Sequence, residues 1–102
     1  MKFISTRGKT EVINAASAIA KGLADDGGLF VPETFPEIKK EDIVKMTKLS
    51  YPERAVYILK QFLTDFLVKE VRECATKAYA PEKFGGEAVA PLVRLNDSEY
   101  IL

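Results

Sequence analysis

Histidine is absent from the 102-residue sequence, and cysteine occurs once, at position 74. Without histidine there is no ordinary zinc site and no histidine-based catalytic triad. A single cysteine excludes a disulfide within the chain and any cysteine cluster that could hold a metal. Excess charge of either sign is missing as well: Lys plus Arg and Asp plus Glu both total 15, for a net charge of zero. The basic residues are scattered, with Lys39-Lys40 the longest basic run. That pattern leaves no electrostatic footprint for nucleic acid or for an anionic membrane. No apolar stretch approaches the ~20 residues that a membrane span needs. The opening Met1-Lys2-Phe3-Ile4-Ser5-Thr6-Arg7 lacks the apolar core of a secretory signal. The composition therefore reads as cytoplasmic, with no nucleic-acid or membrane partner. What is present is 47% apolar residues, enough for the core of one small domain.

Local signals divide the chain into short elements. Residues 3–5 read as a strand broken by Thr6-Arg7-Gly8. A helix is expected over residues 14–21, with Asn14 as N-cap and Gly22 in the left-handed position at its end. Ala15, Ala18, Ile19 and Leu23 form its thin inward stripe. Asp25-Asp26-Gly27-Gly28 is a turn signal; Leu29-Phe30-Val31 reads as extended, and Pro32 ends it. A short helix follows over residues 41–46. Ser50 and Glu53 make a Ser-x-x-Glu capping box. Behind it Ala55, Ile58, Leu59, Phe62, Leu63 and Phe66 recur at helical spacing, opposite a polar face. A further helix over residues 68–79 turns Val71, Cys74, Ala75 and Ala78 inward. These two amphipathic helices need each other, or a third surface, to cover their stripes. Residues 81–91 read as a loop in which Gly85-Gly86 is a flexible connector. Residues 92–95 and 100–102 then read as a hairpin joined by Asn96-Asp97-Ser98-Glu99. Because the chain stops inside the second of these strands, Leu102 is expected to mark a cut.

Few residues offer chemistry. Ser5-Thr6-Arg7 is the most suggestive group, since a guanidinium and two hydroxyls at a strand end can bind phosphate through charge-assisted bonds. The competing structural role is that Arg7 pairs with a nearby carboxylate while the hydroxyls cap a turn. The turn at Asp26, Gly27 and Gly28 could present backbone N–H groups to an anion. Its adjacent carboxylates would repel a phosphate, however, so the glycines are read as turn formers with positive φ. Cys74, on an inward helix face without a basic partner, is expected to behave as a small apolar group. Phe62, Phe66 and Tyr79 lie at helical spacing and read as core.

Two stretches resemble a known family. Phe3-Ile4-Ser5-Thr6-Arg7-Gly8 is similar to the opening of threonine synthases. Gly22-Leu23-Ala24-Asp25-Asp26-Gly27-Gly28-Leu29-Phe30-Val31-Pro32 is similar to their next block. Pro36, the helix after Tyr51-Pro52 and the hairpin around residues 95–100 continue the pattern. The first helix departs from it at Ala15, Ser17 and Ala20. The resemblance implies a fold-type II pyridoxal-phosphate enzyme that converts O-phosphohomoserine and water to threonine and phosphate. It also implies that Ser5, Thr6 and Arg7 face the active-site cleft of the full enzyme. The family's cofactor lysine lies in a His-Gly-Pro-Thr and Phe-Lys-Asp type block, and nothing like that block occurs here. No lysine of this sequence is carried over as catalytic or cofactor-binding, and the polypeptide alone is expected to be inactive.

The fold expected is α+β: a mostly helical small domain with short strands and a carboxy-terminal hairpin. Residues 1–88 would form an amino-terminal domain, and residues 89–102 would begin the larger α/β body, its natural packing partner. Two alternatives stay open. One is a stand-alone binding or regulatory module that shares this domain without catalysis. The other is an interaction piece whose hairpin edge recruits a partner by strand addition.

Overall fold

The computed structural model describes residues 1–84 and 88–102. Gly85 and Gly86, read above as a connector, lie outside the described residues. The element order is β1 (Phe3–Ser5), α1 (Ala15–Lys21), β2 (Phe30–Pro32), α2 (Lys40–Met46), α3 (Tyr51–Phe62), α4 (Val68–Ala78), a 3-10 turn (Pro81–Lys83), β3 (Val93–Arg94) and β4 (Tyr100–Ile101). The class is α+β, as the sequence implies. β1 and β2 pair antiparallel with Ile4 opposite Val31, and β3 and β4 form a second two-stranded sheet. Pro32 ends the strand as expected, being the last residue of β2, opposite Phe3; Leu29, expected in the same extended segment, lies outside β2 in an isolated bridge with Leu23. A two-stranded sheet has only edges, where proline's missing N–H is tolerated.

The helix ends follow from local chemistry. The Asn14 side chain accepts the Ser17 N–H at 2.8 Å, and Gly22 closes α1 at φ +75°. α2, α3 and α4 share another device, an acidic side chain reaching back to the N–H of the N-cap residue. Asp42 accepts from Lys39 at 3.1 Å, Glu53 from Ser50 at 2.9 Å and Glu70 from Leu67 at 2.8 Å. Each satisfies an exposed donor and places negative charge at the positive end of the helix dipole.

The core lies between α3 and α4. Val56, Val71 and Ala75 are buried there, and Ala55, Leu59, Leu63, Phe66 and Tyr79 pack around them. The stripe on α3 is thus centred on Val56, which the helical reading left out. α3 also ends at Phe62, with Leu63 as its C-cap, so Phe66 enters the core from the α3–α4 link and not from the helix. On α4 only Val71 and Ala75 are buried; Cys74 and Ala78 are exposed, contrary to expectation. Neighbouring helix positions point about 100° apart. A seam running through Val71 and Ala75 therefore turns Cys74 away from α3.

α1 is held from outside. The Asp65 carboxylate accepts the Ala16 N–H of α1 at 2.8 Å, and beside it the Met1 ammonium, ahead of β1, donates to the Thr64 hydroxyl. Both clasps come from the α3–α4 link. Ala15 and Ala18 are buried, while Ile19 and Leu23, expected inward, are exposed. Tyr57 donates to Asp42 at 2.7 Å and so ties α3 to α2. The hairpin is shorter than expected, and its turn is braced by the Asn96 side-chain oxygen, which accepts from Ser98 and Glu99 at 3.0 Å each. Among the described residues no helix is long and apolar enough to cross a membrane.

Candidate functional site

The strand pairing of β1 with β2 brings the two sequence blocks around Ser5 and Asp26 into one corner. After β1 the chain turns back, with the Gly8 N–H on the Ser5 carbonyl at 2.9 Å and Gly8 at φ +67°. A second turn, closed by the Gly27 N–H on the Ala24 carbonyl at 2.8 Å, faces it. Ser5 lies between them, 3% exposed. Its hydroxyl donates to the Asp26 carboxylate at 2.7 Å and accepts the Arg7 N–H at 3.1 Å.

Asp26 is the acceptor that holds the corner together. Besides Ser5, its carboxylate takes the Gly28 N–H at 2.9 Å and the Lys9 N–H at 3.0 Å. The Ser5 hydroxyl, then the Gly28 and Lys9 N–H groups and the Arg7 charge, hold the Asp26 carboxyl below its usual range against a smaller opposing push from burial. Thr6 is engaged through its backbone and side chain: its N–H donates to the Leu29 carbonyl at 2.9 Å and its hydroxyl accepts the Leu29 N–H at 3.0 Å.

The two glycines of the turn do different jobs. Gly27 adopts φ +75°, the conformation expected of it. Gly28 is needed for space instead: a Cβ there would stand 2.2 Å from the Ser5 hydroxyl oxygen and 3.0 Å from both the Thr6 hydroxyl and the Asp26 carboxylate. Asp25 and Asp26 diverge. Asp25 pairs with Lys21 at 2.6 Å on the surface, so the adjacent carboxylates do not form an acid–base pair.

Arg7 is the exposed guanidinium of this corner. Its Nη1 donates to the Asp26 backbone carbonyl at 3.0 Å. Among the described residues no ion pair includes it, so its charge acts on the Asp26 carboxylate only from beyond ion-pair distance, while the Ser5 hydroxyl caps the turn as the structural reading expected. A guanidinium carries five N–H donors in a planar fork, and this anchor uses one edge of it. An open cleft of about 450 Å³ lies beside the corner, lined by Lys9, Glu11, Lys21, Asp25 and Asp26 among others. Its walls carry both signs of charge and do not by themselves make an anion site. All lysines of the chain are exposed.

Sequence reasoning brought out Ser5, Thr6, Arg7, Asp26, Gly27 and Gly28, and the structure brings all of them together. It missed the use of Asp26 as the shared acceptor and the steric demand at Gly28. Both depend on Ser5 meeting a turn more than 20 positions further along the chain, for which the local signal is only the Asp-Asp-Gly-Gly turn.

Comparison with known proteins points to one family. The family model described as "Threonine synthase N terminus" matches residues 2–79. Threonine synthase from Pseudomonas aeruginosa is 35% identical over 100% of this chain, which corresponds to 22% of that relative. Among solved structures, pyridoxal-phosphate-bound threonine synthase from Brucella melitensis superposes with a TM-score of 0.88 at 33% identity, over 99% of this chain and 22% of the solved one. Threonine synthase from Escherichia coli does so with a TM-score of 0.79 at 26% identity, over 95% of this chain and 21% of its own. The chain thus spans about a fifth of the length of the relatives it matches, and it belongs to the threonine synthase amino-terminal domain family.

Proposed function

We propose that the chain serves as the amino-terminal domain of a cytoplasmic threonine synthase, which converts O-phosphohomoserine and water to threonine and phosphate, and that alone it is inactive. The match over its whole length supports the first part. The exposure of all its lysines supports the second, because pyridoxal phosphate then needs a lysine from another part of the enzyme. When bound there, the cofactor supplies the electron sink for the substrate carbanions. Residues 1–88 form the domain in this reading, and residues 89–102, with both hairpin strands exposed, begin the body that packs against it.

The contribution of this chain to chemistry is carried by one observation: Arg7 is anchored on the Asp26 carbonyl with the rest of its fork open to solvent. Such a fork suits the oxygens of a substrate phosphate. Ser5 and Thr6 are engaged with Asp26 and Leu29, so they act as positioning residues that fix the backbone on either side of the guanidinium. The Asp26 carboxylate is turned into the corner and satisfied there, which reduces its repulsion of an approaching phosphate.

The test is kinetic. Grafted in place of the matching segment of the P. aeruginosa enzyme, this chain should support phosphate release from O-phosphohomoserine. Arg7→Ala in that graft should lower kcat/KM about ten- to a hundredfold, the loss of one or two charge-assisted bonds, with cofactor binding unchanged. An unchanged kcat/KM in Arg7→Ala removes the phosphate role.

A further inference from the structure

Leu23 and Leu29 face each other across an isolated antiparallel bridge, beside an Ala24 N–H that donates to the Gly28 carbonyl at 3.0 Å. The small residues of this ribbon are on its inner side: Ala24 is 5% exposed and Gly28 is buried. Its large apolar residues are on the outer side, with Leu23 and Leu29 59% and 60% exposed. Ile19, in the last turn of α1, is 63% exposed. A ribbon that meets only water is patterned the other way, large apolar residues inward and polar ones outward. The inversion has a cause on its inner side, because the Ser5 hydroxyl occupies the space that any Gly28 side chain would need. Nothing comparable requires leucine on the outer side.

We infer that Ile19, Leu23 and Leu29 form the surface on which the catalytic body of a threonine synthase docks. The inference rests on the reading of this chain as that enzyme's amino-terminal domain. The greater part of the P. aeruginosa and B. melitensis chains lies outside the region matched here, and a body of that size supplies the cover. A second copy of this chain fits less well. Three aliphatic side chains fall far short of the ~800 Å² per partner buried in a stable dimer. A contact within one polypeptide needs no such area, since the connection keeps both parts at high effective concentration. The patch also adjoins the corner, because Leu29 exchanges both its N–H and its carbonyl with Thr6. A body seated on Leu29 therefore meets the backbone immediately before Arg7 and fixes where the guanidinium stands. Ile43 and Val44, each 54% exposed, lie on α2, which has no hydrogen bond to the corner among the described residues, and serve as a control patch.

Hydroxyl-radical footprinting read by mass spectrometry compares the 102-residue chain with the P. aeruginosa graft. Labelling of Ile19, Leu23 and Leu29 is lost in the graft and retained in the free chain, while Ile43 and Val44 label in both. The paired substitution Leu23→Gln and Leu29→Gln lowers the melting temperature of the graft and leaves that of the free chain unchanged. Equal labelling of the leucines in both proteins overturns the docking surface. So does protection in the free chain that disappears on dilution, which assigns the patch to a second copy. Phosphate release separates the two readings. An active graft with labelled leucines overturns the surface alone, whereas a folded graft without activity removes the enzyme reading and the surface with it.

Discussion

Replacing Gly28 by alanine puts the corner geometry to a quantitative test. The added methyl would stand 2.2 Å from the Ser5 hydroxyl oxygen, well inside contact distance. Thr6 and Asp26 close the other directions at 3.0 Å. The Ser5 hydroxyl must therefore move away, straining its bond to the Asp26 carboxylate and giving up the one from the Arg7 N–H. Overpacking of this kind costs about 1–3 kcal/mol, and one lost neutral hydrogen bond adds about 1 kcal/mol. The sum, about 2–4 kcal/mol, corresponds to a fall in Tm of roughly 10–25 °C for a domain of this size. Gly27→Ala is the internal control. It places a side chain at φ +75° with only the flexible Arg7 guanidinium nearby, at 3.2 Å, and should cost about 1–2 kcal/mol. Urea and thermal unfolding of the 102-residue chain followed by circular dichroism provide the assay. Adding Ser5→Ala to Gly28→Ala removes the atom that is struck, so the double variant should lose less than the sum of the single ones, by about 1 kcal/mol. A Gly28→Ala chain as stable as the parent, or single costs that simply add, would mean that the Ser5 hydroxyl does not occupy the space beside Gly28.

Acid should unfold the chain through its carboxylates. Asp26, Asp42, Glu53 and Asp65 are all held below their usual range, chiefly by the Ser5, Tyr57 and Ser50 hydroxyls and the Ala16 N–H respectively. A lowered folded-state pKa means that the unfolded chain takes up protons first. The stabilisation is then complete above the ordinary carboxyl range and is lost as pH falls through the lower folded values. The urea midpoint should hold from pH 7 to about 5 and drop below about 4; a midpoint unchanged down to pH 3 would contradict this. In the core, Val71→Ala should cost about 2 kcal/mol, whereas Cys74→Ser should stay within about 0.5 kcal/mol of the parent. The Cys74 thiol should also react with a thiol reagent in the native chain as fast as in urea, and protection of that thiol would place it back in the core.

What was legible in the sequence was what local chemistry decides. Asn14 and Gly22 bound α1, and Ser50 with Glu53 opens α3, because each signal lies within a few residues of its effect. The matching devices at Lys39 and Leu67 went unread, since neither residue type advertises an N-cap. Helical spacing located α3 and α4 but not the rotation of their stripes. One step around the helix separates Ala55 from Val56 and Cys74 from Ala75, and only the packing of α3 on α4 chooses between them. At the corner, the resemblance brought the two blocks out together without explaining either. The explanation is the Ser5–Asp26 bond and the missing Cβ of Gly28, which exist only once β1 lies beside β2. Helical spacing put Ile19 and Leu23 inward, whereas Ala15 and Ala18 alone fill that side; Leu29 reads from the sequence only as part of an extended segment, which does not say which way it faces.

The proposal that this chain works as the amino-terminal domain of a threonine synthase makes it dependent on the rest of that enzyme for chemistry. Phosphate release from O-phosphohomoserine tests it most directly, measured for the 102-residue chain alone and for the same chain grafted onto the P. aeruginosa body, both with pyridoxal phosphate present. No turnover is expected from the chain alone and steady turnover from the graft. Turnover by the chain alone, or a folded, cofactor-loaded graft that releases no phosphate, would contradict that proposal.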